Sequence, residues 1–516
     1  MQRDPESETL LTRFCKALAL FSLSALLLGL AVFLAYTHLG SYDDFYDSGV
    51  YAESARMMIR GGHLYSSIFD SQPPLWLLLV ASSFRLFGND FFAGQLLSAT
   101  MGLLVILAVG VVAWQVSDWP GALAAAATVA LSPIELQWSR TISPEIASSA
   151  FAVVGMAYAF RYLRTGGRCA IALASSSVAA SILIKLLGIF TIPALFLAVG
   201  FRHCKTYRSG YAFWLPLAQD TLLVIGTLVP VIIGVSVFFG PAQVWDQAVR
   251  FHWAARSAIS PDTISRPTSI LGQLFANDLL LAPVLCFGIL GMGSIPEGII
   301  LGGWITSTMA GLFFHRPLFS HHLVFLIPGI AIAAGLGWSH FWHRFFRRML
   351  IRGAWQGVHG INAACSSLLI LLLITLALVA IAARQISRQV YSVRHTHEDE
   401  AAAKIARLIA GLTEEDAAIL TDAQGIAFLA DRDVPPQLCD TSLVRIAAGY
   451  LTTTDVIKAA ERSDVQLFLS WNGRLSLLPG MVEWAGRRFP YRVALGEGRE
   501  LFSMRRLDRR EFFSRY

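Results

Sequence analysis

The stretch Phe91–Trp114, FFAGQLLSATMGLLVILAVGVVAW, contains no charged residue. A helix of that length spans the roughly 30 Å hydrocarbon core of a bilayer, and its backbone polar groups are all satisfied within the segment. Comparable apolar runs occupy Lys16–Tyr36 and Ile361–Ala383. Over all 516 residues, 55% are hydrophobic and 15% charged, whereas soluble proteins carry about 25% charged residues. A purely soluble protein is excluded. The net charge of +6 is small, and the basic residues form short clusters between apolar runs, a pattern that sets membrane topology and does not suit nucleic-acid binding.

Apolar windows predict spans at about 16–36, 91–115, 119–134, 145–163, 169–183, 186–200, 218–239, 277–293, 297–314, 320–338 and 361–383. With the amino terminus inside, three basic groups fall on the cytoplasmic side: Arg161/Arg164/Arg168, Arg202–Lys205 and Arg344/Arg347/Arg348/Arg352. Two short spans over Cys169–Phe201 preserve that agreement and put Lys185 at an outer turn. Counting Pro73–Phe87 as a crossing would spoil it, so this segment reads as a helix within an external loop, or re-entrant. The expected architecture is mostly α: about 11 transmembrane helices in residues 1–390, with a first external loop at 37–90, and a small α/β extracytoplasmic domain at 391–516. In that tail Glu398–Leu412, Ser442–Tyr450 and Thr454–Glu461 read as helices, and Ala417–Leu420, Ile426–Leu429 and Val465–Leu469 as buried strands. The six cysteines have no short-spaced pair, so neither a disulfide framework nor a zinc site is indicated.

Ser41–Trp76, SYDDFYDSGVYAESARMMIRGGHLYSSIFDSQPPLW, concentrates Asp43, Asp44 and Asp47 just after a membrane helix. Tyr51, Ala55, Met58 and Ile59 fall on one helical face, with Glu53, Arg56 and Arg60 elsewhere, which predicts a helix lying on the membrane surface and ending at Gly61-Gly62. Asp47 has two compatible readings. It suits the N-cap of a helix beginning near Ser48, and it also suits a general base that takes the proton of an attacking hydroxyl.

An acidic residue followed by Tyr-Ala-Glu, a helix closing on glycine and then Asp70-Ser71-Gln72-Pro73-Pro74-Leu75 resembles the GT-C membrane glycosyltransferases. The nearest branch is that of protein O-mannosyltransferases and aminoarabinose transferases, which use polyprenyl-phosphate sugars. Laid on the family's D-E-x-x-Y, Asp47 is the counterpart of the catalytic aspartate and Tyr51 that of the tyrosine. Ser48 stands at the second acidic position, and Gln72 replaces the lysine of the family's K-P-P-L element. Arg140–Glu145, Lys185 and His315–His322 also match segments of the family. The resemblance implies Asp44, Tyr51, Gln72, Arg140, Glu145, Lys185, Arg316, His321 and His322 as substrate-binding residues. The donor would be a polyprenyl-phosphate sugar and the acceptor a glycan, lipid or protein, at the outer face of what is expected to be a bacterial plasma membrane. No metal or cofactor is assigned, although the resemblance leaves a divalent metal possible.

For several of these residues the sequence allows a plainer role. Lys185 could snorkel to the interface, Arg316 and the histidines could anchor it, Glu145 could cap its own helix, and Arg140 could pair with Glu135 or Glu145. Trp245, Trp253, Arg250 and Arg256 suit either a substrate entrance or an aromatic belt. A transporter or flippase is the competing class, but no internal repeat is visible and the polar residues gather at one face. A scaffolding protein would leave the aspartate cluster unexplained. The topology is testable: a cysteine reporter placed after residue 400 is expected to react with an impermeant reagent from outside only, and labelling from the cytoplasm would remove one crossing from the count.

Overall fold

The computed structural model describes residues 10–42, 46–206, 211–258, 267–278, 280–291, 296–355, 357–394 and 400–506. Asp43 and Asp44 lie outside them. Ten helices precede residue 240: α1 (Leu10–Tyr36), α2 (Tyr46–Ile59), α3 (Leu75–Phe87), α4 (Phe91–Val116), α5 (Trp119–Ala130), α6 (Pro133–Ser139), α7 (Pro144–Thr165), α8 (Arg168–Ile184), α9 (Ile192–Thr206) and α10 (Tyr211–Phe238). Then come α11 (Pro241–Val244), which runs through a π-helical turn into α12 (Phe251–Ala258), α13 (Pro267–Asn277), α14 (Leu281–Gly291), α15 (Pro296–Phe314), α16 (Ile327–Trp355) and α17 (Gly357–Arg394). Among the described residues, six helical segments are long and apolar enough to cross a membrane: 91–116, 144–165, 186–206, 213–238, 296–314 and 320–341. Each of the 11 expected spans coincides with helix, though the one expected at 119–134 ends at Ala130 and the one at 277–293 is reduced to α14. Pro133 and Asn277-Asp278 explain these breaks, because proline starts a new helix and the Asp278 side chain accepts from the Leu280 N–H.

α4, α5, α7, α8, α9 and α16 share one apolar core. Small residues set the closest approach. At the α5–α16 crossing a Cβ on Gly335 would lie 2.3 Å from the Gly121 carbonyl oxygen, so nothing larger than glycine fits.

The tail holds α18 (Glu400–Leu412), α19 (Gln424–Leu429), α20 (Leu443–Ala447), α21 (Thr453–Arg462) and α22 (Met481–Arg488), with strands β1 (Ile419–Thr421), β2 (Leu467–Ser470), β3 (Tyr491–Gly496) and β4 (Arg499–Ser503). The sheet order is β1-β2-β4-β3, with β1 parallel to β2 and the other pairs antiparallel. Ile426–Leu429, expected as a strand, is helical. A short, wholly buried apolar run has no period by which to tell the two apart. The β3–β4 hairpin was missed because its first strand is largely exposed and carries no buried run.

The surface-helix expectation for α2 is corrected in one respect. Ser48 through Met57 are all buried, because α2 lies between the helical bundle and the tail. Its backbone touches that of α19, where a Cβ on Gly49 would meet Gly425 N at 2.3 Å. Glu53 and Arg56 therefore point into protein. Arg56 pairs with Glu53 at 2.5 Å and donates to the carbonyls of Phe428 (3.3 Å) and Arg432 (2.5 Å), while Glu53 accepts the Val434 N–H at 3.1 Å. Removing one partner of such a buried pair leaves the other charge uncompensated, at a cost of roughly 3–5 kcal/mol. Arg56→Met is thus expected to lower the thermal unfolding midpoint of detergent-solubilised protein and expose the tail to protease, and the Glu53→Gln/Arg56→Met double variant should recover most of the loss.

Candidate functional site

α2 begins at Tyr46, two residues earlier than expected, so Asp47 falls inside its first turn and not at the cap. The carboxylate benefits there from the positive end of the helix dipole. It is only half-buried, and it makes no hydrogen bond or ion pair among the described residues. Burial pushes its pKa up to about 6; nearby Glu145 and Asp440 reinforce the rise, while Lys185 and Arg474 oppose it.

Glu145 comes from the first turn of α7, which is preceded by Ser143 and Pro144. It is fully occupied. One oxygen accepts the Ser143 hydroxyl at 2.6 Å, and the other takes the Lys185 ammonium and faces His321 Nε2 at 3.6 Å. Lys185 sits at the break between α8 and the 3-10 turn Leu186–Thr191, where the extended backbone turns its side chain toward α7. His321 and His322 lie on the 3-10 turn Ser320–Leu326, their rings 4.3 Å apart, and Trp138 of α6 packs edge-on to His321 at 5.2 Å. Of the expected residues, the fold thus brings Asp47, Glu145, Lys185, His321 and His322 into one neighbourhood.

The others are distributed around it. Tyr51 is buried against Trp76, with ring centroids 6.2 Å apart. Gln72 is buried in the Pro-Pro-Leu turn, which is pinned from several sides: its N–H donates to Asp70, its carbonyl accepts the Tyr65 hydroxyl, and His252 bonds the Ser71 carbonyl at 2.8 Å. Burial holds His252 near 4 and lifts Asp70 to about 8, so it disfavours charge on both. Arg140 pairs with neither Glu135 nor Glu145. It donates to the carbonyls of Leu34 (2.8 Å) and Thr37 (2.6 Å) at the end of α1 and lines a cavity of about 540 Å³ with Gln95, Arg388 and Gln389. Arg316 is exposed, without a partner among the described residues. Trp245 and Trp253 are exposed with their rings 5.6 Å apart.

Sequence reasoning missed the tail's contribution. The Tyr46 hydroxyl donates to Asp440 at 3.1 Å and accepts the Thr441 N–H at 2.8 Å, and the Arg474 guanidinium lies over the Tyr46 ring at 3.6 Å. Tyr46 is separated from Asp440 by 394 positions and from Thr441 by 395, with Arg474 further still, and no local spacing signals the contact.

Residues 71–232 match the family model described as dolichyl-phosphate-mannose-protein mannosyltransferase. Among solved structures, ArnT from Cupriavidus metallidurans bound to undecaprenyl phosphate aligns at a TM-score of 0.65 and 16% identity, covering 94% of this chain and 97% of that one. The chain has the GT-C fold. The Archaeoglobus fulgidus oligosaccharyltransferase in complex with Zn and sulfate aligns at a TM-score of 0.51 and 14% identity, covering 89% of this chain and 70% of that one. No curated protein matches by sequence. The GT-C fold fits the resemblance read from the first loop, and its match to ArnT runs through the tail as well as the bundle.

Glu145, His321 and His322 offer three donor atoms within 4.8 Å of one another, a spacing a metal ion would accept. Their hydrogen bonds argue otherwise: both Glu145 oxygens are engaged, and His322 Nδ1 accepts the Phe319 N–H at 3.2 Å. A cation would have to displace the Lys185 ammonium, which already supplies the positive charge. Chelator treatment is accordingly expected to leave the thermal midpoint of the purified protein unchanged, and a downward shift restored by zinc or manganese would show that Lys185 yields its place to a metal.

Proposed function

We propose that this chain is an inverting glycosyltransferase that moves a sugar from a polyprenyl-phosphate donor to an acceptor hydroxyl. The reaction is placed at the extracytoplasmic face of a bacterial plasma membrane, with the tail on the same side of about 11 crossings. A lipid-linked donor accounts for the architecture: the isoprenoid stays in hydrocarbon and presents its sugar-phosphate bond at the interface, so no nucleotide site is needed. The observation that carries the reading is the contrast between two neighbouring carboxylates. Glu145 spends both oxygens on protein partners, whereas the half-buried Asp47 has none among the described residues.

The displacement follows from that contrast. Asp47 removes the acceptor O–H proton while the oxygen attacks the anomeric carbon, and the bond to the phosphate oxygen breaks on the opposite face with inversion. The lipid phosphate departs with the bonding pair, its charge offset by nearby cations. A carboxyl raised to about 6 is still ionised at neutral pH, and it is a stronger proton acceptor than an ordinary surface aspartate.

With purified protein, labelled polyprenyl-phosphate sugars and candidate acceptors, Asp47→Asn is expected to lower the transfer rate by roughly 10²- to 10⁴-fold, leaving donor binding in place. Transfer at the wild-type rate would refute the base assignment. Because the base works ionised and its pKa is raised, wild-type activity should be full above pH 7 and decline through about 6, by about tenfold per unit below that. An acid limb near 4 would show an unperturbed group at work.

A further inference from the structure

The tail's loop Trp471–Leu475 is organised around one buried carboxylate. Asp422 is fully buried and accepts the backbone N–H groups of Trp471 (2.8 Å), Asn472 (3.0 Å), Arg474 (2.7 Å) and Leu475 (3.4 Å). Four converging N–H donors fix the loop's backbone, and with it the origin of the Arg474 side chain. At its other end the guanidinium rests on the Tyr46 ring at 3.6 Å, and Tyr46 is itself tied to Asp440 and Thr441. The group is therefore held at both ends, on the residue adjacent to Asp47.

What it lacks is an acceptor. Arg474 Nη1 is buried without a hydrogen-bond partner, and the guanidinium forms no ion pair among the described residues, although Asp47 lies within electrostatic reach. Buried charged donors are ordinarily satisfied, and an arginine that is not is matched in geometry to a bidentate oxyanion. The alternatives nearby are committed. Lys185 serves Glu145, His252 is neutral, and Gln72 occupies the position where the resembled turn carries a lysine.

We infer that Arg474 is a substrate-binding residue of this site, donating from the tail to a phosphate group of the bound substrate. The inference rests on the transferase reading and deepens it, since the tail would then complete the site and not merely cover it. Two substrates could bring that phosphate, the lipid-linked donor or a phosphorylated acceptor.

The test uses full-length protein in detergent or nanodiscs and reads the binding of undecaprenyl phosphate, of the neutral polyprenol and of inorganic phosphate. Arg474→Gln is expected to weaken undecaprenyl phosphate by roughly tenfold or more and leave polyprenol binding unchanged, with Arg474→Lys between the two. A loss of inorganic phosphate binding alone assigns the residue to an acceptor phosphate, whereas equal affinity of Arg474→Gln and wild type for both undecaprenyl phosphate and inorganic phosphate overturns the inference and leaves the transferase reading standing. Wild-type protein that does not distinguish undecaprenyl phosphate from polyprenol overturns the transferase reading itself. Should the variants not fold, phenylglyoxal modification of the wild type followed by peptide mass spectrometry serves instead. Protection of Arg474 by undecaprenyl phosphate supports the donor phosphate, protection by inorganic phosphate alone supports an acceptor phosphate, and protection by neither overturns the inference.

Discussion

The geometry depends on where α2 is held. A helix of 14 residues with mixed polarity has little stability of its own in water, because nucleation is costly and its side chains give it no strong apolar face. It persists because both sides are covered, by α3 and the bundle on one and by α19 on the other. The Glu53–Arg56 pair fixes its rotation. A guanidinium that must reach Glu53 and the carbonyls of Phe428 and Arg432 together tolerates little turning of the helix, and the first turn carrying Tyr46 and Asp47 is aimed by the same constraint. Polar contacts in a buried seam add little net stability, but they specify one arrangement among the many an apolar seam would allow.

Two carboxylates then behave differently because of what surrounds them. Glu145 is built into a network of lysine, serine and histidine, and its charge is spent on structure. Asp47 is kept near it without a partner among the described residues, and burial together with the nearby negative charge makes its own ionised form less comfortable. On the proposed reading, that arrangement would separate a structural acid from a reactive one without any unusual residue, since environment alone can set two carboxylates apart. It also explains the costs the site bears. A buried lysine so close to the bilayer is tolerated when its partner is fixed, and the adjoining histidines need carry no charge.

Much of this was legible in the sequence. The long apolar runs required helices, and the crowding of Asp43 to Asp47, Tyr51 and the Asp-x-x-Pro-Pro-Leu turn beyond the first of them marked the loop that matters. Asp47 and Glu145 were singled out by the family resemblance, and Lys185, His321 and His322 by that resemblance together with the cost of ionisable groups at the edges of apolar runs. What could not be read was the seam with the tail. Arg56 and Glu53 look like surface charges on an amphipathic helix, and only the fold shows that a second layer covers them. Ile426–Leu429 fails for the same reason: complete burial erases the alternation that separates strand from helix. Arg474 and Asp440 carry no local signature, since their importance lies in a contact made across most of the chain.

The tail's contact bears on what a membrane-surface active site must solve. A base and a sugar-phosphate bond exposed together to bulk water invite hydrolysis, and water weakens every electrostatic interaction on which the displacement relies. The bundle can present a lipid-borne substrate but leaves the aqueous side open. Placing α19 on α2, and the loop Trp471–Leu475 over Tyr46, covers that side with protein. The covering layer meets α2 through charged groups at two places: Asp440 and Arg474 beside Asp47, and Asp431 and Asp433 paired with Arg56 and Arg60 further along. The second set docks the tail on the helix, and on the proposed transferase reading the first set leaves the Arg474 guanidinium beside Asp47, where a substrate phosphate would meet it.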